Sequence, residues 1–269
     1  MTKHSRIDTE YPLRDILDRA GSRPAPTGDR ADKKNYAERL SRLLAIMIGQ
    51  ALRPSFPTVT PSESGRNQET PIGAEGGKKR LDVKVWDDKL GLILNVSIKT
   101  YSFQDYSPTT GKLGRFTKNV LRNDHELRAE ADVVHRRQPY SVLIGLVFMN
   151  ANAARDGDAS HSSFAHAVAT FRKRTGRIEP DDPRYDRFES VYIGLYETEG
   201  PERGRTWFFD VTRPPSKNGI PNATLNLDQF IEAIKATVAA RNKTEIHYED
   251  GELIDPDELE ALEAPEEDE

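Results

Sequence analysis

An aspartate and a lysine stand at corresponding ends of a strand–turn–strand pattern in residues 76–102, GGKKRLDVKVWDDKLGLILNVSIKTYS. Leu81, Val83 and Val85 alternate with Asp82, Lys84 and Trp86, the period of a half-buried strand. Asp87–Leu90 with Gly91 reads as a turn, and Leu92–Ile98 as a second, more apolar strand. Paired residues of one hairpin lie within side-chain reach of each other, so this turn sets Lys99 level with Asp82 or just beyond it. A carboxylate and an ammonium at a strand end, beside basic side chains, suit metal-assisted phosphodiester hydrolysis. The carboxylate holds Mg2+, a hard cation that prefers oxygen. The metal polarises the phosphate and lowers the pKa of a bound water. The lysine orients that water and offsets the charge that builds up on the phosphorane.

Basic residues gather around this segment. Lys78, Lys79 and Arg80 lead into Asp82, and Lys112, Arg115, Lys118 and Arg122 surround the start of the next helical stretch. A later group, Arg172, Lys173, Arg174 and Arg177, ends another helical stretch. Tyr101, Phe103 and Tyr106 are interleaved with the first groups. Such residues suit phosphate tracking, although any one of them serves equally well as solubility charge.

At these residues the chain resembles the PD-(D/E)xK nuclease superfamily, which includes many restriction endonucleases and Holliday-junction resolvases. There an aspartate on one strand is followed, after a hairpin, by acid–x–lysine on the next. Asp82 matches the aspartate and Lys99 the lysine. The surrounding order of helix, hairpin, helix and apolar strand matches as well. The resemblance spans roughly residues 34–150. It implies a Mg2+-dependent DNA endonuclease, with Mn2+ as a substitute metal, of restriction or anti-phage defence type. Asp82 and the Ile98 carbonyl would be metal ligands, and Lys99 would position the water. Duplex DNA would be the partner, with Lys79, Arg80, Arg115, Lys118 and Arg122 as its contacts. The assembly would be a homodimer or a subunit of a larger defence system. The preceding helix of the family often carries a glutamate, for which Glu38 is the candidate, with Glu69 and Glu75 as alternatives.

One position departs from the motif: the acid–x–lysine site reads Ser97–Ile98–Lys99. A serine supplies no carboxylate. Asn119, Asn123, Glu126 and Glu130 are spaced by four, three and four, and so share one face of the following helix. A migrated acid is therefore expected there. Glu126 is the preferred candidate over Glu130, because it lies nearer the loop that leaves Lys99. The alternative reading of Ser97 is a catalytically inactive, nuclease-like nucleic-acid-binding module.

The elements that must position these residues are legible in outline. Tyr36, Leu40, Leu43, Leu44, Met47, Ala51 and Leu52 recur at helical spacing over Lys34–Leu52, with Asp32 as the expected cap. Phe116–Arg137 reads as a helix buried through Val120, Leu127, Ala131 and Val134. Tyr140–Met149 is an apolar run fit for a strand covered on both faces. Ser160–Thr175 and Leu227–Arg241 read as helices, and Ser190–Tyr196 and Thr206–Val211 as strands. The fold class is α/β (α+β), a central mixed sheet flanked by helices; the resemblance implies a restriction-endonuclease-like core. The expected organisation is a mobile N-terminal arm over residues 1–33, one domain over 34–242, and an acidic, disordered tail over 243–269.

Composition narrows the function further. The 269 residues contain no cysteine, which excludes disulfides, cysteine-zinc sites, iron–sulfur clusters and thiol catalysis. No apolar run approaches the roughly 20 residues of a membrane span, and no signal-peptide core follows the first methionine, so a cytoplasmic protein is expected. His161 and His166 lack partner ligands in a zinc spacing, and no phosphate-binding glycine loop or nucleophile elbow is present. The net charge of -5 hides an asymmetry: residues 248–269 carry twelve acids and no lysine or arginine. The remainder is net positive by seven, which is compatible with a polyanionic ligand.

Overall fold

Six strands and five helices carry the core of the chain in the computed structural model, which describes residues 7–56, 58–66, 70–72, 79–87, 90–157, 161–241, 247–249 and 252–254. In order these are α1 (Arg14–Ala20), α2 (Arg30–Leu52), β1 (Val59–Thr60), β2 (Thr70–Ile72), β3 (Lys79–Leu81), β4 (Val83–Asp87), β5 (Gly91–Tyr101), β6 (Tyr106–Ser107), β7 (Lys112–Leu113) and α3 (Val120–His135). Then follow β8 (Val142–Asn150), α4 (Ser163–Phe171), β9 (Ser190–Tyr196), β10 (Thr206–Asp210), α5 (Leu227–Arg241), β11 (His247–Glu249) and β12 (Glu252–Ile254). The central sheet has the order β1-β4-β5-β8-β9-β10. Its β1, β4 and β5 are antiparallel neighbours, β5, β8 and β9 run parallel, and β10 returns antiparallel. This is the mixed α/β sheet expected from the sequence.

The parallel steps β5–α3–β8 and β8–α4–β9 need crossovers, and each uses a helix. Both crossovers advance across the sheet in the same direction, and a shared hand places both helices on one face. Leu127, Val134, Phe164, Val168 and Phe171 accordingly share a core layer with Leu143, Val147, Val191 and Ile193. The opposite face is covered by α1, α2 and α5, whose Leu17, Leu40, Leu44, Phe230 and Ile234 pack with Val83, Val85, Leu94, Val96, Ile98 and Leu146. Strand β8 lies between the layers and is buried along its whole length, which is why its sequence does not alternate.

Several boundaries differ from the sequence reading. Helix α2 begins at Arg30, and its cap is Asp29, whose carboxylate accepts from the Ala31 N–H at 2.6 Å. Asp32 instead sits in the first turn, where a negative charge favours the helix dipole. Helix α3 begins at Val120; the preceding Phe116 is buried, with its N–H held by Ser163 Oγ at 3.0 Å.

The segment expected as a mobile arm is docked over its described part. Leu13, Ile16, Leu17 and Ala20 enter the core, and Arg203 pairs with Asp18 at 2.6 Å. Their three- and four-residue spacing makes an apolar stripe that would be wasted on a free arm. Of the acidic tail, β11 and β12 pair as a short antiparallel hairpin, and the rest lies outside the described residues. Among the described residues, no helix is long and apolar enough to cross a membrane.

Candidate active site

Strand parity decides which residues meet. On β4 and β5, Val83, Val85, Leu94, Val96 and Ile98 face the α2 layer. Their alternates, Lys84 on β4 and Asn95, Ser97 and Lys99 on β5, therefore face the α3 layer. The two strands pair Val83 with Val96 and Lys84 with Asn95. Continued by one residue, this register sets Asp82, in the bend between β3 and β4, opposite Ser97. The Asp82 carboxylate accepts the Ile98 N–H at 2.7 Å, which fixes it against β5.

The polar stripe of α3 descends on the same face, rung by rung. Tyr101 hydrogen-bonds the Asn123 side chain, and its hydroxyl lies 3.4 Å from the Asn119 carbonyl. Lys99 pairs with Glu126 at 3.6 Å. The Ser97 hydroxyl donates to Glu130, which also accepts from Asn95 Nδ2 at 3.2 Å. The stepping has a simple cause. Helix α3 runs antiparallel to β5, and one helical turn of about 5.4 Å roughly matches two strand residues. Moving four residues forward on the helix thus moves about two residues back on the strand.

The two α3 acids differ in setting. Glu130 is 2% exposed, enclosed by Ser97 and Asn95. The Glu126 side chain is 42% exposed and is shared between Lys99 and Arg122, the latter at 3.2 Å. The acid that meets Ser97 is therefore Glu130 rather than the preferred Glu126. Glu126 instead holds the lysine. Burial also leaves its mark on neighbouring groups: it pushes the Tyr101 phenol up, against the opposing hydrogen bond from Asn123, and holds the Lys84 ammonium below the usual lysine value.

Glu38 is not brought to this site. It lies on α2, across the sheet, with an exposed side chain 3.7 Å from Lys34 one turn away. Glu69 and Glu75 fall outside the described residues, as does Lys78. Lys79 and Arg80 form β3, whose backbone leads straight into Asp82. Arg122 is exposed beside Glu126. Arg115 is drawn toward the start of α4, where it donates to the His161 carbonyl and lies 4.0 Å from Asp156. Lys118 is exposed near Asp105; burial raises that carboxyl and the lysine opposes the rise. Asn95 and Lys84 were not singled out from the sequence. Their signal was present, since both alternate with buried apolar residues and share parity with Ser97 and Asp82 respectively.

Among the described residues, no three His, Cys, Asp or Glu side chains are grouped to hold a metal ion. Mg2+ does not require such a cage. It binds through one or two carboxylates and keeps several waters or substrate oxygens. Asp82 bonds the Ile98 N–H and Glu130 bonds Ser97, so two carboxylates meet adjacent residues of β5. Asn95 Oδ1 is buried beside Glu130 without a hydrogen-bond partner, leaving one more oxygen of the site to be satisfied. No protein-family description, curated protein or solved structure matches the chain.

Proposed function

We propose that the chain is a metal-dependent DNA endonuclease whose site is formed by Asp82, Lys99, Glu126 and Glu130. The observation that carries this reading is the convergence of the polar faces of β4, β5 and α3, with Glu130 beside the serine that replaces the motif's acid. The order of helix, antiparallel strands, helix and parallel strand supports it.

Asp82 and Glu130 would hold Mg2+, together with the Ile98 carbonyl. The backbone N–H and C=O of a strand residue point to the same side, and the Ile98 N–H already meets Asp82. Bound there, the metal would polarise the scissile phosphate and lower the pKa of its water. Lys99 is steered by Glu126 so that its ammonium stands at the strand end, where it can orient the attacking water and offset developing negative charge. Glu126 is a positioning residue in this scheme.

A magnesium-dependent plasmid-cleavage assay tests the reading. Asp82→Ala and Lys99→Ala should each abolish cleavage with the fold retained; Asp82→Ala also removes the acceptor of the Ile98 N–H and should lower the unfolding midpoint, whereas Asp82→Asn keeps an acceptor there and should lose cleavage alone. Ca2+ in place of Mg2+ should permit binding and suppress turnover. Cleavage by Asp82→Ala would sink the proposal. Ser97 favours one second reading, an inactive nucleic-acid-binding module. Salt-sensitive DNA binding with no cleavage under Mg2+ or Mn2+ would select it.

A further inference from the structure

Between the strand that carries Lys99 and the helix that carries Glu126, the chain makes an excursion that the core does not need. Strands β6 and β7 pair Tyr106 with Leu113 and Ser107 with Lys112. The base of this ribbon is pinned by backbone hydrogen bonds: Asp105 N–H to the Arg115 carbonyl at 2.9 Å, and Gly114 N–H to the Asp105 carbonyl at 2.7 Å. Its end is closed by the Gly111 N–H on the Ser107 carbonyl at 2.9 Å, with Gly111 at φ 66°, a conformation natural to glycine. Residues 108–114 are all exposed. The ribbon is thus closed at its root, is tied to the body just beyond it by Arg115 on the His161 carbonyl and the Phe116 N–H on Ser163, and offers its end to solvent.

Its charge is one-sided. Residues 106–122 contain Lys112, Arg115, Lys118 and Arg122 and no aspartate or glutamate. Arg115 and Arg122 are engaged by Asp156 and Glu126. Lys112 is exposed on β7, and the adjacent Leu113 is 51% exposed. An exposed leucine between cations fits a polyanion that also presents apolar surface. The B-form major groove has the width to admit a two-stranded β-ribbon, and offers thymine methyl groups to an apolar side chain.

We infer that the β6–β7 ribbon is a duplex-DNA contact element that enters the groove beside the site, with Lys112 on a phosphate and Leu113 against base edges. This rests on the nuclease reading. Lys112 belongs to the basic group that the sequence places before the next helix, and the ribbon adds to that group a position in the fold, between the strand that carries Lys99 and the helix that carries Glu126.

The test is a salt titration of the full-length protein on a fluorescein-labelled DNA duplex, with Ca2+ replacing Mg2+, between about 50 and 200 mM salt. Lys112→Ala should weaken binding and reduce the slope of log affinity against log salt by about 0.9, the value of one lost phosphate contact. Leu113→Ser should weaken binding several-fold with an unchanged slope, because it removes an apolar contact and no counterion release. Both positions are exposed, so thermal unfolding should match wild type and exclude a folding cause. The Leu113→Ser effect should vanish on an RNA duplex, whose major groove is too deep and narrow for the ribbon. If both variants superimpose on wild type while wild type binds and cleaves, the ribbon assignment falls and the nuclease reading stands. An equal Leu113→Ser effect on RNA would overturn the groove placement. Absence of wild-type binding at low salt would overturn both.

Discussion

The contact between Ser97 and Glu130 makes a sharper statement than either residue does alone. A buried carboxylate needs donors, and here a serine hydroxyl and an asparagine amide supply them. Replacing that serine by glutamate would set two carboxylates against each other inside the core. Ser97→Glu alone should therefore destabilise the fold, and Glu130→Gln should recover part of that loss, with a coupling of about 1–3 kcal/mol in a double-mutant cycle read by urea unfolding. Additive effects would mean that the two side chains do not compete for one place. Under the nuclease proposal, the same geometry should separate the two glutamates kinetically. Glu130→Gln keeps the shape and removes the charge, so cleavage should need at least about tenfold more Mg2+ for half-maximal rate. Glu126→Gln frees Lys99 and should lower the rate at saturating Mg2+ instead. Identical Mg2+ dependence in both variants would remove the division of roles. Asp82, Lys99 and the polar stripe were legible because residue type and spacing survive in one dimension. The choice between Glu126 and Glu130 was not, because it depends on the height of α3 against β5, which packing sets.

Elements were legible wherever one face is buried and the other is wet. The periods of α2, α3 and α5 and the alternation of β4 follow from that contrast, and β9 and α5 were read to the residue. What periodicity does not carry is which surface a stripe docks on. Helix α1 has the stripe but only seven residues, too few to be stable without tertiary contacts. Those contacts come from the core layer shared with α2 and from the turn between β9 and β10. Gly204, at φ 89°, accepts the Leu13 N–H on its carbonyl at 3.2 Å. A Cβ there would lie 2.4 Å from the Arg14 nitrogen, an impossible approach to backbone. Gly204→Ala combines that clash with a left-handed backbone conformation, and should cost about 2 kcal/mol or more. Hydrogen exchange should report where the loss falls. Protection of the Leu17 amide, bonded to the Leu13 carbonyl, should drop first, before that of β5 and β8. A uniform loss across the sheet would show that α1 unfolds only with the whole domain.

At the scale of the molecule, the two faces of the sheet are tied together near the start of β8 by a buried ionic cluster. Glu189 lies just before β9 and accepts the Leu143 N–H at 2.6 Å. It also accepts from Arg177 at 3.3 Å and from Arg241 at the end of α5. His135, at the end of α3, packs against it with Nε2 3.4 Å from the carboxylate, and its Nδ1 meets the Tyr185 carbonyl at 3.2 Å. Glu189 is thus shared by two guanidiniums, with Asp182 acting on both from further off, and protonating His135 would add a third buried positive charge beside them. Burial, reinforced by Arg177 and Arg241, holds the His135 pKa down to about 4, so the ring is neutral in the fold. In the unfolded chain it titrates near 6.5. The unfolded state therefore binds the additional proton between these values, and stability falls as the pH drops through that window. The contribution is complete above about pH 6.5 and lost by about pH 4, and the shift corresponds to about 3 kcal/mol. Urea unfolding at intervals from neutral pH to about pH 4.5 should show this decline before most carboxylates begin to protonate. His135→Gln removes the titrating group and should flatten the profile in that window, whatever its cost at neutral pH. Imidazole NMR gives the direct check: a folded-state His135 titrating near 6.5 would mean that the cluster accommodates a third charge, and the expected acid lability would disappear with it.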